Sequence, residues 1–152
     1  MTDLVRVNGW LLLFDSLFLD QLHQLENQVR DLKAKRPHSY NQTNSFKRLN
    51  AINHLVFTAI PANPAAPEYR LGGALGANNR HWFRAKFYQQ YRLFFRFDTK
   101  AKIIIFVWVN DESTLRAYES KNDAYLTFRK MIEAGNPPDS WAQLLDRAAG
   151  LD

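Results

Sequence analysis

The sequence predicts an α+β fold: a small, antiparallel-rich sheet packed against an N-terminal helical hairpin and a C-terminal helix. Three observations carry this. Apolar residues from Phe18 to Leu32 recur at helical spacing, residues 82–97 alternate with a period of two, and "AKIIIFVWVN" at 101–110 is a continuous apolar run. The 152 residues are enough for one domain spanning 1–152 around a hydrophobic core.

The elements follow in order. "VRVNGWLLLF" (5–14) reads as a strand with an irregularity at Gly9. Asp15 or Ser16 is placed to cap a helix, whose inward stripe is Phe18, Leu22, Leu25, Val29 and Leu32, and "KAKRP" ends it. Residues 39–60 read as a second helix with Phe46, Leu49, Ile52, Val56 and Ala59 inward, stopped by Pro61. "PANPAAPEYRLGGALGANNR" reads as turns and not as a packed element. Its glycines (Gly72, Gly73, Gly76) lack the G-K-[ST] or G-x-G-x-x-G pattern of a phosphate cradle.

"WFRAKFYQQYRLFFRF" (82–97) reads as a hairpin. A three-residue loop at 89–91 would set Tyr88 opposite Arg92, Lys86 opposite Phe94 and Arg84 opposite Arg96. One face then carries Arg84, Lys86, Tyr88, Arg92, Phe94 and Arg96, and the other carries Phe83, Ala85, Phe87, Leu93, Phe95 and Phe97. The first face is expected to meet water, with Arg92 adding little to the core. The 101–110 run is a strand covered on both faces or nearly so. Asn122 or Asp123 starts a helix ended by Gly135, and Asp139 or Ser140 starts a last short one.

Charge points to partners. The chain carries a formal +5, yet residues 80–102 hold seven cations against one acid, while the remainder holds thirteen cations and fourteen acids. Like charges side by side weaken a sheet, so a basic excess confined to one hairpin region reads as the footprint of a polyanion binder. The lack of cysteine excludes disulfides, thiol catalysis and cysteine-ligated metals. "WLLLF" has no charged leader and no stretch approaches a membrane span, so a cytoplasmic protein that does not enter membranes is expected.

Strand, two helices, three strands, helix is the order of the small RelE/ParE-type toxins. More specifically, "RVNGW" (6–10), "NPAAPEYRLGGALG" (63–76), "YRLFFRF" (91–97), "WVNDESTLRAY" (108–118), "DAYLTFRKM" (123–131) and "GNPPDSW" (135–141) resemble the YhaV family of toxins, in order and over nearly the whole chain. The resemblance implies a RelE-like fold and an endoribonuclease that cleaves mRNA, in association with the ribosome. It also implies a PrlF-type, AbrB-like antitoxin as partner, with operator DNA bound only through the toxin–antitoxin complex. Residue by residue, it places Arg84 and Lys86 at the paired cations of the first hairpin strand, Arg92 at the hairpin arginine and Tyr118 at a catalytic tyrosine. A further arginine of that family has no direct match, because "NDE" occupies the turn after the central strand; Arg116 supplies it from a shifted position.

The chemistry is metal-free strand scission, in which preorganised cations stabilise charge on the phosphate and arginine grips phosphate oxygens bidentately. No His, Asp or Glu spacing reads as a metal site. The catalytic set is Arg84, Lys86, Arg92 and Tyr118. The substrate-binding set is Arg96, Arg116, Lys121, His81, and Tyr88 and Phe94 as stacking platforms for bases. The general acid and base stay open among Tyr118, His81, Asp111, Glu112 and Lys86. Two other readings use the same features: a non-catalytic RNA- or ribosome-binding module, and a ParE-like gyrase inhibitor.

Overall fold

The structure is a computed structural model that describes residues 4–111 and 123–151. Five strands form one mixed sheet in the order β1-β2-β5-β4-β3. The strands are β1 (Val5–Val7), β2 (Trp10–Phe14), β3 (Phe83–Phe87), β4 (Tyr91–Asp98) and β5 (Ile103–Val109). Only β2 and β5 run parallel. The single strand expected at 5–14 is a tight hairpin instead, with Val7 paired to Trp10. Asn8 and Gly9 both take positive φ (52° and 84°), the geometry that Asn-Gly favours in two-residue hairpin turns.

Helix α1 (Ser16–Lys35) begins where the Asp15 carboxylate accepts from the Leu17 amide, and it buries Phe18, Leu22 and Leu25. Helix α2 (Asn44–His54) starts at the Thr43 cap, later than expected. It continues through a π-helical turn, Leu55–Ala59, into the short α3 (Ile60–Ala62). The wide turn falls just before Pro61, which has no amide hydrogen to donate to the preceding turn. Helices α4 (Ala124–Glu133) and α5 (Trp141–Arg147) start at the Asp123 and Ser140 side-chain caps. The segment read as open turns is packed down: Ala66, Tyr69, Leu71 and Leu75 are all buried.

The sheet is covered on both sides. On one, Leu12, Phe14, Ala85, Leu93, Phe95, Ile104 and Phe106 pack against α1 and α2. On the other, Leu13, Phe94, Ile105, Val107 and Trp108 pack against Tyr125, Phe128 and Ile132 of α4, with Leu144 of α5. A bulge in the β4–β5 pairing, between Phe94 and Phe95, lets Val107 and Trp108 enter the same core before Val109 returns to the α1 side.

The β3–β4 hairpin also has a three-residue loop, but at 88–90. Lys86 faces Arg92, Arg84 faces Phe94 and Phe83 faces Phe95. The pairing is shifted by two residues from the expected one, and an even shift leaves the faces unchanged. Tyr88 (φ 45°) and Gln89 (φ 63°) turn the chain, while Tyr91 joins the strand and stacks on Phe87 at 5.2 Å. What the alternation did not foresee is the cover: the face carrying the arginines lies beneath α4 and is not an open cation surface.

Candidate nucleic-acid interface

Strand alternation sets Arg84 on β3 and Arg92 on β4 on the α4 side of the sheet. The second residue of α4, two past its Asp123 cap, is Tyr125. The three meet at one atom. Arg84 Nε donates to the Tyr125 hydroxyl oxygen at 2.8 Å and Arg92 Nε to the same oxygen at 2.9 Å. Arg84 Nη1 donates to the carbonyls of Glu68 (3.0 Å) and Arg70 (2.8 Å). Arg92 Nη1 donates to those of Gln89 (2.6 Å) and Tyr91 (3.0 Å), and its guanidinium stands 5.8 Å from the centre of the Tyr125 ring. Arg84 and Arg92 are only 9% and 7% exposed. Arg92 is therefore a built-in part of the packing, contrary to the expectation that it adds little to the core.

Two buried guanidinium groups held by neutral oxygens are an unusual arrangement, because a buried charge is costly unless it is paired. Among the described residues neither meets a carboxylate, and Nη2 of each has no hydrogen-bond partner. Exposed Lys86 lies directly across from Arg92 and adds a third charge at the rim. The arrangement suits a phosphate diester: rigid forks aimed by fixed acceptors, with no carboxylate on either fork among the described residues. Asn110 steadies it, accepting from the Arg92 amide at 2.6 Å and donating to Gln90 O at 3.0 Å. Gln21 of α1 braces the adjoining end of β5 by exchanging two hydrogen bonds with the Val109 backbone (2.6 and 3.1 Å).

Arg96 stands apart in a second cluster. Its guanidinium lies over Trp82 (5.2 Å) and Trp141 (5.5 Å), and Nη1 donates to the Asp139 carbonyl at 2.5 Å. The Asp139 carboxylate is 2.6 Å from His81 Nε2 and accepts from Trp82 Nε1 at 2.8 Å. Burial alone would raise the Asp139 pKa, but the hydrogen bonds from His81 and Trp82, with the charges of His81 and Arg96, hold it below the usual carboxylate range. Burial lowers the Arg96 pKa, and Asp139 opposes that shift. Lys100 and Lys102 sit beyond, in the β4–β5 turn at the opposite end of β4 from the Tyr88 loop, where Lys102 covers Trp10 at 4.7 Å.

The basic hairpin is thus divided, with Arg84, Lys86 and Arg92 in one group and Arg96 and His81 in another. Phe94, expected to stack bases, is fully buried and stacks on Phe128 at 4.2 Å. Tyr88 is exposed, but in the loop beside α2, where its hydroxyl donates to Lys47 O at 3.2 Å. Asp111 is exposed at the end of β5, in a groove between α1 and α2. Glu112, Arg116, Tyr118 and Lys121 lie outside the described residues. Tyr125 was not singled out from sequence; its signal was the one polar-tipped member of the otherwise apolar stripe Tyr125, Phe128, Ile132. Among the described residues, no group of three or more His, Asp or Glu is placed to hold a metal ion, and no helix is long and apolar enough to cross a membrane.

The fold and the site define an α+β protein with a cluster of cations on one face of a mixed sheet. The model of a family described as "Toxin with endonuclease activity, of toxin-antitoxin system" matches residues 12–149. The "Ribonuclease toxin YhaV" of Escherichia coli K12 is 42% identical over 141 residues, covering 91% of this chain and 92% of its own length. The "Toxin YhaV" proteins of E. coli O157:H7 and of E. coli O6:H1 match with the same identity and coverage. No solved structure matches the chain. The chain belongs to the YhaV family of toxins with endonuclease activity, as its motifs suggested.

Proposed function

We propose that this protein is the endoribonuclease toxin of a type II toxin–antitoxin system, a single-domain enzyme of RelE-like fold that cleaves mRNA in the cytoplasm. The observation that carries this reading is the convergence of Arg84 and Arg92 on the Tyr125 hydroxyl, with Lys86 at the rim. The ribonuclease name of the E. coli relative supports RNA as the substrate. The scissile phosphate binds the Nη2 sides of the two guanidinium groups. The adjacent 2′-hydroxyl loses its proton and attacks phosphorus, the bond to the 5′-oxygen breaks, and that oxygen takes up a proton. The products are a 2′,3′-cyclic phosphate and a 5′-hydroxyl. Fixed cations offset the charge that grows on the phosphate oxygens; Lys86 adds charge and reaches the substrate from the solvent side. Tyr118 is retained as a catalytic group, and Arg116 and Lys121 as substrate-binding groups.

The antitoxin is of PrlF type, related to AbrB, and it closes the basic site; the pair binds its operator as a complex. Incubating purified protein with mRNA, with and without translating ribosomes, tests the reading. Fragments ending in cyclic phosphate are expected, produced fastest on ribosomes and, from ribosome-free RNA, equally well in EDTA. Intact RNA in every condition would sink the enzymatic reading, and loss of ribosome-free cleavage in EDTA with recovery in magnesium would sink the metal-free mechanism.

A further inference from the structure

Tyr88 presents a puzzle. Among the described residues it is one of few large hydrophobic side chains left in solvent, at 55% exposure, and it holds a left-handed backbone (φ 45°) that a bulky residue seldom adopts. Both exposure and strain cost free energy, and such costs cluster at ligand-binding positions. Its surroundings say what it faces. With Tyr91, Asn44, Lys47 and Arg48 it lines an open groove of about 380 Å³ between the hairpin loop and the first turns of α2. Among the described residues, the walls hold two phenol rings and two cations, and no acid. Arg48 stands over the Tyr91 ring at 5.4 Å, and that ring is backed by Phe87 at 5.2 Å. The Tyr88 hydroxyl donates to Lys47 O, which fixes the ring at the groove edge.

We propose that this groove is a nucleotide subsite, in which one unpaired base of the RNA stacks on the Tyr88 ring and the adjoining phosphate meets Lys47 and Arg48. Stacking on aromatics between cations is how proteins hold single strands without reading a fixed sequence. The subsite is coupled to the scissile site by Arg92, whose Nη1 grips the carbonyl of Gln89, on the loop that carries Tyr88, and that of Tyr91, the first residue after it. A strand passing over the hairpin tip reaches both. This inference rests on the ribonuclease reading and adds to it a second point of contact, on the α2 side of the sheet.

The test uses single-stranded RNA with 2′-O-methyl groups throughout, which cannot undergo 2′-hydroxyl attack, titrated by fluorescence anisotropy. Tyr88→Ala is expected to raise Kd roughly 5- to 100-fold, the range for loss of one stacked base, while Tyr88→Phe and Tyr88→Trp stay within about 3-fold of wild type, because the stacking ring itself is kept. Lys47→Gln is expected to lower the slope of log Kd against log salt by about one contact. A Kd for Tyr88→Ala equal to wild type overturns the subsite, as does equal weakening by Tyr88→Phe, which would assign the effect to the Lys47 hydrogen bond. If Tyr88→Ala binds this probe as tightly as wild type while wild type cleaves unmodified RNA, only the subsite is lost. If wild type neither binds nor cleaves RNA, the ribonuclease reading falls and the subsite with it.

Discussion

A single phenolic oxygen joins two guanidinium groups that backbone carbonyls also hold. Both Nε–H groups of the Arg84–Arg92 pair end on Tyr125, so the substitution Tyr125→Phe keeps the ring against Phe94 and strips both donors of their acceptor. A buried donor left without a partner costs about 1–3 kcal/mol, and urea denaturation is expected to show a loss of that order together with slower RNA cleavage. Unchanged stability and unchanged cleavage would mean the hydroxyl positions nothing. The cations were legible because β alternation sorts side chains by face, which grouped Arg84, Lys86 and Arg92 correctly. Tyr125 was not, because a stripe at spacings of three and four reads as core, and periodicity carries no information about where a hydroxyl points. Phe94 failed for a related reason: alternation tells which face a ring is on, not what covers that face.

At the level of elements, α4 is the cover. Phe128 stacks on Phe94 at 4.2 Å and on Trp108 at 5.6 Å, and meets Trp82 edge-on at 5.1 Å. Phe128→Ala is expected to cost about 3–5 kcal/mol, measured as a fall in the denaturation midpoint. A loss below about 0.5 kcal/mol, the scale of an ordinary surface substitution, would mean that α4 does not seal the arginine face. Strong local signals carried most of the other elements: Asp15, Asp123 and Ser140 cap their helices as their positions suggested. The β1–β2 hairpin was missed although Asn8-Gly9 is a strong turn signal, because the apolar residues on both sides made one continuous strand equally plausible. The π turn before Pro61 had no local signal beyond the proline itself.

Across the whole molecule, the sheet lies between α1–α2 on one side and α4–α5 on the other. The two ends of the chain are tied by Arg147, which donates to both oxygens of fully buried Asp15 at 2.6 and 2.9 Å. The α+β class was legible from periodicity. A second layer from a C-terminal helix was expected too, but not that it covers the arginine face, which depends on the contact between Phe94 and Phe128, far apart in sequence. That layer turns a basic stripe into a buried arginine pair with one accessible side, and the account stands or falls on that pair binding the scissile phosphate. The direct measurement is single-turnover cleavage of a defined RNA by wild type, Arg84→Lys and Arg92→Lys, with product ends identified and folding checked by circular dichroism. Lysine keeps the charge but has no planar fork to hold Tyr125 and a phosphate together. The account predicts cyclic-phosphate products from wild type and a rate lower by about 10²- to 10³-fold in each folded variant. Folded Arg84→Lys and Arg92→Lys proteins that cleave at the wild-type rate would contradict it.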